Sequence, residues 1–176
     1  TSIQAAMLIA RTLDPADHGC SAGSFGRRLF VFTDDLDVTN RLHDDLRDAE
    51  AYDLFGRPDA ARQPLAALRG NGSDATARDR DGQRWRMCEQ VGHNLDSRLV
   101  VGRTTSQDAG VNARANVIVV TAALEVGFND PHVGAVLQHK APRNAASFLQ
   151  RKGRAGRDRA MRPITATILS DYGRDR

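Results

Sequence analysis

The sequence is poor in cysteine and has no long apolar run, and each shortage excludes a class of protein. Cys20 and Cys88 are too few for a disulfide framework, and neither lies in a Cys-x-x-Cys pair or a Cys/His cluster at zinc spacing. No apolar run approaches the roughly 20 residues that span a membrane. We therefore expect reduced thiols, no metal site, and a cytoplasmic protein that does not enter a membrane.

Lysine is also scarce, and this shortage limits the chemistry of nucleotides. Lys140 follows His139 and Lys152 follows Arg151, so the chain has no Gly-Lys-Ser/Thr loop of the kind that cradles nucleotide phosphates. It also has no adjacent Asp-Glu pair for magnesium and an attacking water. We therefore expect that the chain does not hydrolyse ATP by itself.

What the sequence does contain is the composition of one globular domain with an uneven charge. Its 176 residues, of which 40% are hydrophobic, are enough to bury a core. Positions 34–59 hold nine acids against three arginines, whereas 139–162 hold eight Lys or Arg against one Asp. A basic block favours phosphate-bearing partners, with a solvated basic surface as the alternative. Because the first residue is Thr1 and no signal peptide follows, we expect a fragment of a longer protein.

Short apolar runs alternate with helical patterns along the chain. Apolar spacing predicts helices over about 3–13 and 36–49. A third helix is predicted behind an Asn144 cap, where Ala145, Phe148, Leu149 and Lys152 fit the 3.6-residue period. Strands are predicted at the apolar runs 28–32, 98–102, 116–121, 133–138 and 164–169. Strands buried on both faces that alternate with helices predict an α/β fold, with an open parallel sheet and helices on both faces.

A polar segment at about 55–96 interrupts this alternation. It is rich in Gly, Pro, Asp and Arg, and it is predicted to be a long surface insertion that is partly mobile. Residues 83–91 are predicted to form a short helix that docks on the body. Trp85 is the single tryptophan, and we expect it to anchor the insertion to the body. The alternative, a platform on which a base stacks, is less favoured. His43, on the acidic helix before the insertion, is expected to face solvent.

Polar residues follow the predicted strands at the points where the strands end. Carboxyl ends of parallel strands meet at one edge of the sheet, and open α/β sheets bind ligands there. Small hydroxyls and cations along such an edge would form a cradle for a sugar-phosphate backbone. The alternative for each hydroxyl is a helix cap. The residues concerned are Thr33, Arg103, Thr104, Thr105, Ser106, Thr121, His139 and Lys140.

The motif most specific for function is QRKGRAGR, at 150–157. Its two glycines permit a close backbone turn, and Arg154 and Arg157 lie three residues apart, so both guanidiniums can reach one target. Such a pair suits the charge that develops on a transferring phosphoryl group, where an arginine finger raises the rate by about 10³ to 10⁵. The alternative is a basic surface at a helix end.

Three stretches together resemble motifs of superfamily 2 helicases. RLFVFTDDL resembles the fourth motif, VVTAALEVGFNDP the fifth and APRNAASFLQRKGRAGR the sixth, in the same order and with matching spacing. The resemblance covers 28–169 apart from the insertion, and it implies that 1–176 is the second RecA-like domain, the helicase C-terminal domain. T-x-x-L-E-x-G and A-S-F-x-Q-R-x-G-R-A-G-R resemble Lhr/Hrq1-type DNA helicases more than DEAD-box proteins. V-G-F-N-D-P and Q-H-K-A-P are similar to stretches of large bacterial phage-defence helicases.

The resemblance also implies roles for individual residues. Gln150 would contact the γ-phosphate region, and Arg154 and Arg157 would be arginine fingers presented to ATP that another domain binds. Gly127 and Asn129 would lie on the ribose and magnesium side of the ATP cleft. Gly153 would complete the ATP-binding set. The phosphates of the tracked strand would be held by Thr33, Arg103, Thr104 and Thr121.

The implied enzyme is a nucleic-acid-dependent ATPase made of two domains. A preceding N-terminal RecA-like domain of the same parent chain would bind most of the ATP and Mg²⁺. Single-stranded DNA is the expected track and RNA the alternative. Asn129 stands where many relatives have Asp, and a short RTTSQDAG turn replaces the usual segment between the second and third strands. The alternative function is a non-catalytic RecA-like module that binds nucleic acid or protein.

Overall fold

A parallel sheet of five strands forms the centre of the molecule. The computed structural model describes residues 2–13, 23–70, 75–105, 112–121 and 129–171. The strands are β1 (Arg28–Phe32), β2 (Val101–Thr104), β3 (Val117–Val120), β4 (Val133–His139) and β5 (Ile164–Ile168). Their order across the sheet is β2-β3-β1-β4-β5, and every neighbouring pair is parallel. The predicted α/β class is confirmed.

Helices lie on both faces of this sheet, as predicted. They are α1 (Ser2–Thr12), α2 (Leu36–Ala49), a 3₁₀-helix (Leu65–Arg69), α3 (Ala75–Arg80), α4 (Arg86–Gln90) and α5 (Ala145–Lys152). On the first face, α1 packs against β1, β4, α2 and α4, and α2 packs against β2 and β3. The strand residues beneath them alternate along each strand, as the two-residue period requires, and include Leu29, Val31, Val117, Val119, Ala135 and Leu137.

The second face carries its own apolar cluster. Phe30, Phe32, Ile118 and Val136 are buried there together with Ala155, from the segment after α5. The guanidinium carbon of Arg151, on α5, lies 5.5 Å from the centroid of the Phe32 ring. α5 and the segment that follows it therefore belong to this face.

The start of α2 follows the local sequence closely. Asp35 is the N-cap, and its carboxylate accepts hydrogen bonds from the backbone N–H groups of Asp37 and Val38. Thr39, Leu42, Leu46 and Ala49, which recur at helical spacing within the predicted 36–49, are buried. Leu36 is exposed, because it belongs to the first turn of the helix, directly after the cap. The expectation for His43 is wrong: its side chain is only 13% exposed.

The second strand begins later than its apolar run. It was predicted at 98–102 but spans Val101–Thr104. The backbone N–H of Leu99 donates to the Glu50 carboxylate and that of Val100 to the Asn116 side-chain oxygen, each at 2.9 Å. Since side chains take these donors, regular strand pairing starts only at Val101. Arg103 and Thr104, which were expected to follow the strand, are its last two residues.

A buried ion pair connects α1, α2 and the chain before β2. Both terminal nitrogens of Arg11 donate to the two carboxylate oxygens of Glu50 at 2.6 Å, and both side chains are inaccessible to solvent. Arg11 also donates to the carbonyl of Ser97 at 2.9 Å. A buried charge is tolerated only when it is paired and hydrogen-bonded in this way.

The 55–96 segment contains the 3₁₀-helix, α3 and α4. α4 lies within the predicted 83–91, and Cys88 on it is fully buried. Trp85 is partly buried against the core of the first face, which agrees with its predicted role as an anchor. Cys20 lies outside the described residues.

Neither a membrane span nor a metal centre occurs in the part of the chain that the structure describes. No helix there is long and apolar enough to cross a bilayer. No group of three or more His, Cys, Asp or Glu side chains there could hold a metal ion.

Candidate functional site

The site is built on α5, whose buried side chain is a charged one. Asn144 caps the helix by accepting from the backbone N–H of Ser147 at 2.8 Å, as predicted. The predicted apolar face is wrong, because Leu149 is 63% exposed and Arg151 is the buried residue of the helix. The helix turns Arg151 inward because acceptors lie beneath it on the sheet.

Arg151 is held by β4 and by the chain just after β1. Its guanidinium donates to the side-chain oxygen of Gln138, on β4, at 2.7 Å. It also forms an ion pair of 2.6 Å with Asp34, the second residue after β1. Arg143 adds a longer contact of 3.8 Å to the other Asp34 oxygen. Because a buried guanidinium needs such partners, this network fixes α5 over the carboxyl ends of β1 and β4.

The segment after α5 crosses the second face toward the opposite edge of the sheet. The backbone N–H of Gly156 donates to the carbonyl of Val133, the first residue of β4, at 3.0 Å. Gly156 has φ +72°, and a Cβ there would lie 2.5 Å from Cγ of Pro163. Only glycine fits both the dihedral angle and the space. The turn predicted for QRKGRAGR is therefore present, and its second glycine is required.

The structure arranges the predicted phosphate-binding residues along this path. Gln150, Gly153 and Arg157 are exposed, and Arg154 is half-buried. Asn129 is also exposed and adjoins the same end of β4, because the neighbouring Asp130 carbonyl accepts from the N–H of Val133 at 3.4 Å. Gly127 lies outside the described residues.

The carboxyl edge of the sheet is less accessible than the sequence indicates. Thr33 is fully buried, its hydroxyl donates to the Asp35 carbonyl at 3.2 Å, and it shares a hydrogen bond with the Thr39 hydroxyl. Thr104 is 3% exposed, whereas Thr121 is half-buried. Thr33 therefore has the alternative role of supporting the start of α2, and its contact with nucleic acid stays a prediction.

Arg103 and Lys140 are the exposed cations of this edge among the predicted residues. Arg103 donates to the side-chain oxygen of Asn40 at 2.8 Å, which directs it toward α2. Thr105 is buried and His139 is half-buried, while Ser106 lies outside the described residues. The edge thus offers cations rather than a row of hydroxyls.

The sequence patterns assign no role to three residues of the site. Asp34, Gln138 and Arg151 form the anchor of α5 but lie in separate parts of the chain. A signal did exist for Gln138, which is a polar residue in a strand that is otherwise apolar and buried. Such a residue needs a buried partner, and Arg151 is that partner.

An open sheet of five parallel strands with helices on both faces is the architecture of an open α/β domain, the class to which the expected RecA-like fold belongs. Residues 101–159, from β2 to just beyond α5, match the family described as "Helicase conserved C-terminal domain". The matched part is about a third of the chain, and it contains Gln150, Arg154 and Arg157.

Individual relatives match shorter stretches. A Caenorhabditis elegans protein assigned as ATP-dependent DNA helicase Q1 is 34% identical over 82 residues, which are 40% of this chain and 13% of that protein. An Acanthamoeba polyphaga mimivirus protein assigned as an ATP-dependent RNA helicase is 36% identical over 56 residues, 32% of this chain and 10% of that protein. The chain thus spans a small part of the length of each relative.

Two solved structures cover more of the chain at lower identity. The Mycobacterium smegmatis helicase Lhr bound to single-stranded DNA and AMP-PNP has a TM-score of 0.45 and 18% identity, over 80% of this chain and 14% of that one. A DEAD-box protein from the hyperthermophile Methanococcus jannaschii has a TM-score of 0.41 and 16% identity. The match covers 81% of this chain and 29% of that one.

Proposed function

We propose that this chain is the C-terminal motor domain of a superfamily 2 helicase and works with a preceding ATP-binding domain. The observation that carries the proposal is the anchoring of α5 by Arg151. The buried contacts of Arg151 with Asp34 and Gln138 hold QRKGRAGR across the second face, with Arg157 exposed. This segment lies inside the stretch that matches the helicase C-terminal domain.

The residues present fit one half of an ATP site. Arg154, Arg157 and Gln150 are hydrogen-bond donors suited to the γ-phosphate, and guanidiniums there stabilise the charge that develops as the phosphoryl group transfers. The sequence has no Gly-Lys-Ser/Thr loop, so the phosphates and Mg²⁺ would be held mainly by the other domain. ATP, when bound between the domains, would supply the phosphoanhydride whose hydrolysis drives their closure and opening.

Asn129 and Gly153 would border the nucleotide beside this segment. Asn129 carries a neutral amide, so it would donate or accept hydrogen bonds near the ribose without adding charge beside Mg²⁺. Gly127 belongs to the same proposed set.

The carboxyl edge of the sheet would contact nucleic acid. This surface is separate from the segment proposed to face ATP. Arg103, near the end of β2, is an exposed cation suited to a phosphate, and Thr121 directly follows the neighbouring strand β3. Thr33 and Thr104 would join only if their buried hydroxyls became accessible. Single-stranded DNA is the proposed track and RNA the alternative. The Lhr/Hrq1 type, a phage-defence role and a cytoplasmic location remain proposals from sequence resemblance and composition.

The experiment compares ATP turnover by the full-length protein with and without single-stranded DNA or RNA. We expect Arg157→Ala and Arg154→Ala to lower stimulated turnover by about 10³-fold or more, because each removes a charge from the transition state. Arg159→Ala is the matched control, since Arg159 is an exposed arginine just after the motif. It should retain turnover within about twofold, as expected for a surface cation that does not touch the transition state.

DNA affinity measured on the same variants separates the two functions. In a motor, Arg157→Ala leaves affinity nearly unchanged. A binding module would give a different result. ATP turnover would be absent or unaffected by both substitutions, and Arg157→Ala would reduce the slope of log affinity against log salt concentration by the amount expected for about one phosphate contact.

A further inference from the structure

Lys140, the residue that follows β4, has a backbone conformation that lysine rarely adopts. Its φ is +66°, in the left-handed region where a Cβ crowds the backbone. Ala51 is the other non-glycine residue with a positive φ among those described, and it directly follows the C-cap of α2, where a left-handed residue commonly ends a helix. Lys140 follows a strand and ends no helix. Its conformation therefore needs a different explanation.

The peptide group between His139 and Lys140 is hydrogen-bonded on both sides. The N–H of Lys140 donates to the carbonyl of Ile168, the last residue of β5, at 2.8 Å. The carbonyl of His139 accepts from the side-chain amide of Gln138 at 3.1 Å, and the oxygen of the same amide accepts from Arg151 at 2.7 Å. The contacts that anchor α5 therefore also hold the backbone at Lys140. Such support from the surroundings is what allows an unfavourable dihedral angle to persist.

The charge of Lys140 is available to a ligand. The residue is exposed, and no carboxylate in the described ranges forms an ion pair with it. Asp34, the acid that follows β1 at the same edge of the sheet, is already paired with Arg151 at 2.6 Å and approached by Arg143 at 3.8 Å. A strained backbone that supports an exposed cation is typical of a functional position, because strain persists where it serves a contact.

The strand register places Lys140 beside the edge that is proposed to contact nucleic acid. β1 lies between β3 and β4, and the pairing puts Thr121, directly after β3, level with His139, the last residue of β4. The two positions are therefore two strand spacings apart, about 10 Å. That distance is the rise of roughly three stacked nucleotides. One strand of nucleic acid could thus meet Thr121 and Lys140 together.

We propose that Lys140 binds one phosphate of a single nucleic-acid strand. Its ammonium group would pair with the phosphodiester without reading the base or the sugar. The inference rests on the proposed function, because it assumes that the carboxyl edge of the sheet binds nucleic acid. It extends that function to the end of β4. It also connects the two proposed sites, since Gln138 contacts both Arg151, which anchors α5, and the peptide group that precedes the Lys140 side chain.

The experiment measures binding of the full-length protein, without ATP, to fluorescent single-stranded oligonucleotides of thymidine and of uridine at several salt concentrations. We expect Lys140→Gln to weaken both complexes at least about fivefold at low salt. The slope of log affinity against log salt concentration should fall by about 0.7, the value for one phosphate of a single strand. Lys140→Arg keeps the charge and should retain affinity within about twofold.

Arg162→Gln is the matched control for the loss of charge. Arg162 is an exposed cation just before β5 begins, whereas Lys140 is bonded to the residue that ends β5, so the two lie at opposite edges of the sheet. The control should leave both the affinity and the salt slope unchanged. An equal loss in the two variants would mean that any basic residue contributes, which would overturn the assignment of Lys140.

A second pair of variants separates the charge from the backbone. Lys140→Ala and Lys140→Gly both remove the ammonium group, so both should lose as much affinity as Lys140→Gln. Only glycine relieves the left-handed strain. We therefore expect Lys140→Gly to unfold at a higher temperature than Lys140→Ala, and thermal unfolding of every variant also verifies that the fold is intact. A glycine variant no more stable than the alanine variant would contradict the strain at this position.

The outcomes distinguish this inference from the proposed function. A wild type that binds both oligonucleotides, with affinity and salt slope that Lys140→Gln leaves unchanged, overturns the role of Lys140 and leaves the proposed function intact. A wild type that binds neither oligonucleotide overturns both.

Discussion

Arg151 on α5 and Asp34 after β1 form an ion pair of 2.6 Å in which Arg151 is almost completely buried. Replacing Arg151 with methionine keeps most of the side-chain length but leaves the Asp34 carboxylate poorly compensated. Breaking a buried pair in this way costs about 3–5 kcal/mol. We expect the free energy of unfolding of the 176-residue chain, from urea titration, to fall by that amount.

Arg143→Met is the control for this prediction. Arg143 approaches the same carboxylate at 3.8 Å, but its side chain is 63% exposed. An exposed pair contributes roughly 0–1 kcal/mol, so the substitution should change the free energy of unfolding by no more than that. Equal losses for the two arginines would mean that the buried pair does not anchor α5.

Gly156 should not tolerate a side chain. Alanine there combines a positive φ with a Cβ only 2.5 Å from the Pro163 ring. The left-handed conformation alone costs roughly 1–2 kcal/mol, and the steric conflict adds to it. We expect Gly156→Ala to lower the free energy of unfolding by more than about 2 kcal/mol. Gly82→Ala is the matched control, because Gly82 has a similar φ of +65° and open space around its Cβ position. A Gly156 loss no larger than the Gly82 loss would contradict the steric argument.

The sequence predicted correctly those helices and strands that are stabilised by residues close to them in the chain. β1 spans the predicted 28–32 and α2 the predicted 36–49, because the apolar run and the Asp35 side chain that caps α2 act within a few residues. The start of β2 could not be predicted. The backbone N–H groups of the two residues before it donate to the side chains of Glu50 and Asn116, which are distant in the sequence or belong to another strand region. The buried face of α5 was mispredicted for the same reason, because the partners of Arg151 lie just after β1 and on β4.

Some features of the candidate site could likewise be predicted from nearby residues, and others could not. The motif QRKGRAGR was visible in the sequence, and its glycine turn follows from the local pattern. Its path across the second face depends on the hydrogen bond from Gly156 to Val133, which no sequence spacing shows. The burial of Thr33 was equally hidden, because it results from packing between α2 and the sheet.

Cys88 should be chemically inert in the folded protein. Burial raises the pKa of its thiol to about 11, with the Arg11 charge acting weakly in the opposite direction. At pH 8 only about one thiol in a thousand would be the reactive thiolate, and it would be shielded from solvent. We expect iodoacetamide to leave the Cys88 peptide unmodified until urea unfolds the chain, as measured by mass spectrometry. Rapid labelling of that peptide under native conditions would show that α4 opens readily.

His43 should make stability depend on pH near neutrality. Burial lowers the pKa of its imidazole below the usual 6.5, although Asp44 acts to raise it. Well above pH 6.5 both the folded and the unfolded state hold a neutral imidazole, so His43 contributes no pH dependence there. Between 6.5 and the lower folded pKa, the unfolded state binds a proton that the folded state does not, and stability falls as the pH falls.

The measurement is urea unfolding of the wild type and His43→Gln at several pH values from 5 to 8. We expect the difference in free energy of unfolding between the two proteins to narrow as the pH falls below about 6.5, because glutamine does not titrate. A difference that is constant across this range would contradict the proposed shift in pKa.

The order of strands has a consequence for how the chain is made. β1 lies at the centre of the sheet, yet both of its partners come much later in the sequence: Leu29 pairs with Val117 on one side and with Ala135 on the other. During synthesis this apolar strand leaves the ribosome with both edges open. It stays unpaired while the whole polar segment at 55–96 is translated. Contacts between such distant residues form slowly, and open strand edges invite association with other chains. Until β3 and β4 have emerged, β1 is therefore open to association with other chains.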